Sequence, residues 1–285
     1  MTITIMGASG RVGGTVLETV AQAGRQVRAL CRNPPADAAR DGVEWRAVDA
    51  LDSAALTAAF AGSTAVFVMN PVAPDAENVD EQAGQLSASV AGALRAAEVP
   101  YAVALSSQGA HLPIGTAGIV GTLHGFETAL RGAMIKMAIL RPAYFMESWV
   151  PMAMIAAESG QMPALLAPLD RAVETVSARD VGAAAGRLLL SPQPGIYEIT
   201  GPQRYSESDA AGILSRHLGR QITAKPLPGE EVAEFHRQAG FGASFSAGIA
   251  AMYAALNGDG IPFAGQGTQR LRGERRLETV LTDAT

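Results

Sequence analysis

The chain has 285 residues and a formal charge of −5, with 22 Lys and Arg against 27 Asp and Glu, so it carries no basic footprint for nucleic acid. With 48% hydrophobic and only 17% charged residues, it can bury its own core as one large α/β unit or as a main domain with a smaller lobe. The single cysteine, Cys31, excludes an intrachain disulfide framework, and no apolar run approaches the ~20 residues that span a bilayer.

The expected elements alternate from the first residues. Ile3 and Ile5 alternate with Thr2 and Thr4 as a first strand, and Val12, Val16, Leu17 and Val20 fall on one helical stripe. Because this apolar N-terminal stretch is short, lacks a basic flank and is used as a strand, no signal peptide is expected and the setting is read as cytoplasmic. Strands are expected at 26–32, 44–48, 64–69, 101–105 and 136–141, and helices at 54–60, 80–97 and 122–132. Near-continuous apolar strands imply a parallel sheet covered on both faces, and right-handed crossovers make it doubly wound. Asp52 or Ser53 is expected to cap the helix at 54–60. Beyond Pro142 the alternation becomes irregular, with helices expected at 178–190, 206–218, 230–240 and 243–256 and a strand at 196–200. The expected organisation is a doubly wound, Rossmann-type domain over 1–142. A mainly substrate-binding α/β lobe follows over 143–285, with some segments returning to the first domain.

The glycine turn Gly7-Ala8-Ser9-Gly10-Arg11-Val12-Gly13 sits between the first strand and first helix. Gly7 permits the tight turn, Gly10 removes a side chain where backbone nears a pyrophosphate, and Gly13 lets helix and strand approach. The N–H groups of Gly10, Arg11 and Val12 are expected to face phosphate at the positive end of the helix dipole. An acid that would bind a ribose 2′-hydroxyl is missing at the end of the second strand. Arg32 stands there with a guanidinium fork suited to a 2′-phosphate, and Arg28 adds charge nearby. NADP(H) is therefore expected over NAD(H), against the plainer reading of Arg32 as a solvated surface charge.

With Gly7-Ala-Ser-Gly-Arg-Val-Gly13, Arg32-Asn-Pro34, Val48-Asp49, Leu105-Ser-Ser107, His124-Gly-Phe-Glu127 and Ile139-Leu-Arg-Pro-Ala-Tyr-Phe-Met146 in view, the chain resembles the NmrA-like branch of the atypical short-chain dehydrogenase/reductase superfamily. Ser177-Ala-Arg-Asp-Val181 and Tyr197-Glu-Ile-Thr-Gly-Pro202 extend the resemblance into the second half. It implies that Asp49, with Ala50, lies beside the adenine and that Asn70, Pro71 and Val72 line the cofactor. It also implies that Ser106 and Pro142 to Tyr144 approach the nicotinamide. For Ser106 and Ser107 ordinary turn chemistry is the alternative. The resemblance further implies a small-molecule substrate and a homodimer.

The usual Tyr-Lys proton relay is absent, because no tyrosine has a lysine four residues on and the only lysines are 136 and 225. The helix at 122–132 instead offers His124 with Glu127 three residues later, either a proton-donating pair or a structural one. Tyr144 is a second candidate donor or an aromatic pocket wall. His111, in the loop 108–118, belongs to a lid or to a solvent-facing turn. The histidines at 111, 124, 217 and 236 show no ligand spacing with one another or with Cys31, so no metal is expected. The leading expectation is an NADPH-dependent oxidoreductase passing hydride to a small, apolar, conjugated acceptor such as a quinone. That acceptor would be lined by Met146, Trp149, Met152, Met154, Phe241, Phe245, Met252 and Tyr253. Alternatives are an NADP(H)-sensing regulatory protein without turnover and a non-redox isomerase or cyclase on the same fold.

Overall fold

The computed structural model describes residues 1–36 and 40–285. Its first half runs β1 (Thr2–Met6), α1 (Arg11–Gln22), β2 (Gln26–Cys31), β3 (Val43–Ala47), α2 (Ser53–Phe60), β4 (Ser63–Val68), α3 (Val79–Ala96), β5 (Tyr101–Leu105), α4 (Gly121–Gly132) and β6 (Lys136–Pro142). The second half runs β7 (Tyr144–Phe145), α5 (Val150–Ser159), β8 (Gln161–Ala164), β9 (Val173–Val176), α6 (Ala178–Leu190), β10 (Gly195–Thr200), β11 (Arg204–Tyr205) and α7 (Glu207–Leu218). It closes with β12 (Thr223–Pro226), α8 (Val232–Gln238), α9 (Ala243–Asn257), β13 (Thr268–Arg272) and α10 (Leu277–Thr282).

An eight-stranded sheet in the order β13-β10-β6-β5-β4-β1-β2-β3 forms the centre, and every adjacent pair in it is parallel. The fold is a doubly wound α/β sheet of the Rossmann type. Alternation along β1 explains its two faces. Ile3 and Ile5 point to α1 and α6, and Met6 points to α2, α3 and α4. On the edge, β3 is only half-buried, so it lacks the apolar continuity of the inner strands. Asp52 caps α2 by accepting from the Ala55 N–H at 2.9 Å, and Ser206 with Asp209 closes a capping box at α7.

The second half divides its allegiance. α6, β10 and β13 return to the large sheet, and β13 is a strand the polar sequence Thr-Gln-Arg-Leu-Arg does not announce. The remainder builds a separate core of Met146, Trp149, Met162, Tyr205, Leu214 and Leu281. A three-stranded sheet β11-β9-β7 and the pair β12-β8 accompany it. Among the described residues no helix is long and apolar enough to cross a membrane.

Candidate active site

A cleft of about 810 Å³ opens at the carboxyl ends of the central strands, where the order reverses between β1 and β4 and where open α/β sheets bind ligands. Its floor is the glycine turn, with Gly7, Ser9, Gly10, Arg11, Val12 and Gly13. One end is formed by Cys31, Arg32, Asp49, Ala50 and Leu51, and the other by Pro71, Ala73, Leu105, Phe145, Glu147, Ser148 and Pro151.

The turn is shaped for an anion. Gly7 has φ +64°, and a Cβ on Gly13 would run into the Gly7 carbonyl, so α1 can lie against β1 only with glycine there. Gly10 caps α1 without any side-chain hydrogen bond. The Gly10 N–H donates to the Gly7 carbonyl at 2.9 Å and the Gly14 N–H to the Gly10 carbonyl at 2.7 Å. The expectation that Gly10 presents its N–H to phosphate is thus corrected, because closing the turn consumes that donor. The first-turn N–H groups of Arg11, Val12 and Gly13 remain to meet an anion. Exposed Arg32 and Asp49 stand together at the β2–β3 end, and Asp49 accepts from the Leu51 N–H at 2.9 Å, which fixes its loop. These groups fit a dinucleotide, with pyrophosphate at the turn and an adenosine end beside Arg32. Arg28 does not join them. It donates to the Ala59 and Ala61 carbonyls at the C-terminal end of α2, at 2.5 and 3.1 Å.

Other expected site residues lie behind the cleft wall. Ala8, Asn70, Val72, Ser106, Pro142 and Tyr144 do not line it. Asn70 Nδ2 donates to the Ala83 carbonyl and Ser87 Oγ, both at 3.0 Å, tying the end of β4 to α3. The Ser106 hydroxyl donates to Glu127 at 2.6 Å, and Pro142 is buried as the last residue of β6. Tyr144 Oη meets Tyr253 Oη at 2.8 Å, and its ring packs edge-on against Trp149. Burial, with Tyr253 and Glu207 nearby, pushes its phenol well above the usual tyrosine range. It therefore faces the second core, and its neighbour Phe145 faces the cleft, as alternation along β7 requires.

The expected His124–Glu127 pair does not form. His124 Nδ1 lies 3.0 Å from the Ala110 carbonyl. Glu127 takes Arg141 through two bonds, at 2.8 and 2.6 Å, and Arg131 at 2.6 Å. Helical spacing placed His124 within range, but Arg141 from β6 offers a bidentate partner that an imidazole cannot match. Burial would raise the Glu127 carboxyl; hydrogen bonds from Arg141 and Ser106 outweigh it and hold the group below the usual carboxylate range. The loop carrying His111 is tied down, since Gln108 Nε2 donates to the Ile261 carbonyl. Burial and the Arg141 charge lower the His111 imidazole. Among the described residues no cluster of His, Cys, Asp or Glu could hold a metal.

The apolar lining expected for an acceptor is also corrected. None of the eight residues named for it lines the cleft. Met146, Trp149, Met152 and Tyr253 are buried in the second core, Met154 is exposed, and Phe241 stacks on Phe245 at 5.5 Å elsewhere on that lobe. The apolar wall comes instead from Pro71, Leu105, Phe145 and Pro151. Sequence reading missed Glu147, which follows Phe145 on a 3-10 turn and lines this end of the cleft. Both its oxygens lie 2.9 Å from the Ala178 nitrogen at the start of α6. Burial raises this carboxyl, against the Ala178 N–H and the charges of Arg11 and Arg275.

The chain is 32% identical over 230 residues to (4-alkanoyl-5-oxo-2,5-dihydrofuran-3-yl)methyl phosphate reductase of Streptomyces griseus subsp. griseus, covering 79% of this chain and 77% of that protein. It is 28% identical over 231 residues to quinone oxidoreductase 2 of Escherichia coli, with the same coverages of 79% and 77%. In structure it is similar to the triphenylmethane reductase of Citrobacter sp. complexed with NADP(H), at TM-score 0.80 and 23% identity over the whole of both chains. The sequence profile of the NmrA-like family matches residues 1–259, and the chain belongs to that family.

Proposed function

We propose that the protein is an NADPH-dependent oxidoreductase that reduces a small, apolar, conjugated acceptor such as a quinone. The observation that carries this reading is the continuous cleft, which runs from an uncapped helix N-terminus and Arg32 to a wall of Pro71, Leu105, Phe145 and Pro151. The α1 N–H groups hold the pyrophosphate, Arg32 and Arg11 supply cations for the phosphates, and Asp49 and Ala50 flank the adenosine. When bound, the cofactor supplies a hydride at its nicotinamide. The chain's part is to bind, orient and keep water out: the apolar wall shields the reacting faces, and Ser148 and Glu147 are the polar groups beside it. A quinone accepts hydride to give a phenolate-like oxygen that one hydrogen-bond donor stabilises, so the missing Tyr-Lys relay is no obstacle. The quinone oxidoreductase and the triphenylmethane reductase support the acceptor class, and the latter's complex with NADP(H) supports the nucleotide.

Anaerobic stopped-flow with NADPH and a quinone panel tests the reading. Oxidation well above the protein-free rate is expected, and no acceleration with any acceptor would refute it. Binding without turnover is the second reading, favoured because His124, Glu127 and Tyr144 all lie away from the cleft. Tight binding that discriminates NADPH from NADP⁺ without any turnover would establish it instead.

A further inference from the structure

Glu147 differs from the other deeply set glutamates. Glu127 is held by two arginines and a serine. Glu207 accepts from Trp149 Nε1 and the Leu165 and Leu166 N–H groups. Glu198 accepts from Ala264 and Thr268 and pairs with Arg270. Each of those carboxylates meets several separate donors. Glu147 has the Ala178 N–H shared between its oxygens, its own backbone N–H nearby, and no ion pair within 4 Å among the described residues. Its acceptor sites are under-committed, and burial favours the neutral acid.

Its position is equally distinctive. A second pocket of about 290 Å³ lies beside the main cleft, and Arg11, Glu147 and Ala178 line both. Of these three, only Glu147 carries a side-chain acid that can give up and take back a proton. The carboxyl therefore stands in the partition between a cleft walled by Leu105 and Phe145 and a separate pocket large enough for water. The charged groups around it are Arg11 from α1, Arg179 from α6, Arg275 before α10 and Asp283 just after α10. Three of these are engaged elsewhere, because Arg275 pairs with Asp283 and Arg179 with Glu18.

We propose that Glu147 is the proton donor to the reduced acceptor, giving its proton into the main cleft and recovering one from water in the smaller pocket. This rests on the oxidoreductase reading above. Hydride from the reduced nicotinamide carries two electrons to the quinone, whose ring aromatises and leaves one oxygen as phenolate. The Glu147 O–H bond breaks as the phenolate O–H bond forms, and the products are the hydroquinone, the oxidised nicotinamide and the Glu147 carboxylate. The Ala178 N–H, the α6 dipole and Arg11 stabilise that carboxylate until water returns the proton.

The test compares wild type with Glu147→Gln, which can still accept from the Ala178 N–H, and with Glu147→Asp. Wild-type kcat for a quinone should fall as pH rises through a pKa above the ordinary carboxylate range, because the donor must be protonated. E147Q should lose that limb and turn over on the order of 10²-fold more slowly, while E147D keeps the limb. A limb unchanged in E147Q overturns the proposal. A readout independent of turnover is the proton released when NADP⁺ binds, measured by calorimetry in buffers of different ionisation enthalpy. The positive nicotinamide should expel a proton from wild type and none from E147Q, and equal release from both overturns the assignment. If wild type oxidises NADPH with no acceptor, the oxidoreductase reading fails, and with it the donor role.

Discussion

Arg141 and Arg131 grip one Glu127 carboxylate from different depths. Arg141 is 3% exposed and Arg131 49% exposed, so the two bonds are worth very different amounts. Replacing Arg141 by Met strands a buried charge and should cost about 3–5 kcal/mol, whereas Arg131→Ala removes a rim partner worth about 0.3–0.5 kcal/mol. Denaturant unfolding of the two variants measures the contrast. The sign with pH follows. A carboxyl held below its unfolded pKa contributes stability above the unfolded value and loses it as pH falls through the folded value. R141M raises the Glu127 pKa, so protonation relieves the stranded carboxylate and the stability gap between R141M and wild type should narrow as pH falls. At the cleft, Arg32→Glu should weaken NADPH by about 10- to 100-fold, the worth of a charge-assisted bond of about 1.5–3 kcal/mol, and leave NADH within a few-fold. Fluorescence titration with both nucleotides decides it, and an unchanged NADPH Kd would refute the role of Arg32. The glycine turn and Arg32 were legible in the sequence because their chemistry is local. The partner of Glu127 was not, because helix periodicity shows only neighbours on the same helix and Arg141 arrives from another strand.

The phosphate turn is held in place by α1, and α1 is held by α6. Gly182 and Gly186 face Thr15 and Thr19, and a Cβ at either glycine would come 2.6 Å from the threonine Cβ. The two helices can cross this closely only while those positions lack side chains. Gly182→Ala and Gly186→Ala each gain about 1 kcal/mol of helix propensity but meet an overpacking cost of about 1–3 kcal/mol. Both should therefore lower Tm and, by displacing α1, weaken NADPH. Gly84 in α3 has nothing within 4 Å of its Cβ position, and Gly84→Ala should stabilise by about 0.5–1 kcal/mol. Thermal melts of the three variants check the pattern, and a stabilising G182A would contradict the close crossing. The inner strands and most helices could be read from their patterns, but this contact and β13 could not. A small-residue stripe does not name its partner, and an edge strand with polar residues on its open side looks like loop.

Across the whole molecule the chain returns to its first sheet after building the second core, and this decides how it unfolds. α6 contributes Val181, Ala184, Ala185, Leu188 and Leu189 to the core under β1 and β5, while β10 covers the open edge of β6 and β13 covers β10 in turn. A fragment of residues 1–142 would keep the glycine turn and six strands. It would also leave β6 as a bare apolar edge and expose the face of α1 that Gly182 and Gly186 contact. Such a fragment should fail to fold or should aggregate, as circular dichroism and light scattering would show, even though it contains every residue proposed to hold the phosphates. The intact chain should melt in a single transition, because neither core can come apart without opening the other. NADPH at a hundred times its Kd should raise the stability of the whole unit by about 2.7 kcal/mol, shifting that transition without splitting it. A fragment 1–142 that folds and binds NADPH with the affinity of the full chain would show that α6, β10 and β13 are accessories to the nucleotide site, not parts of its foundation.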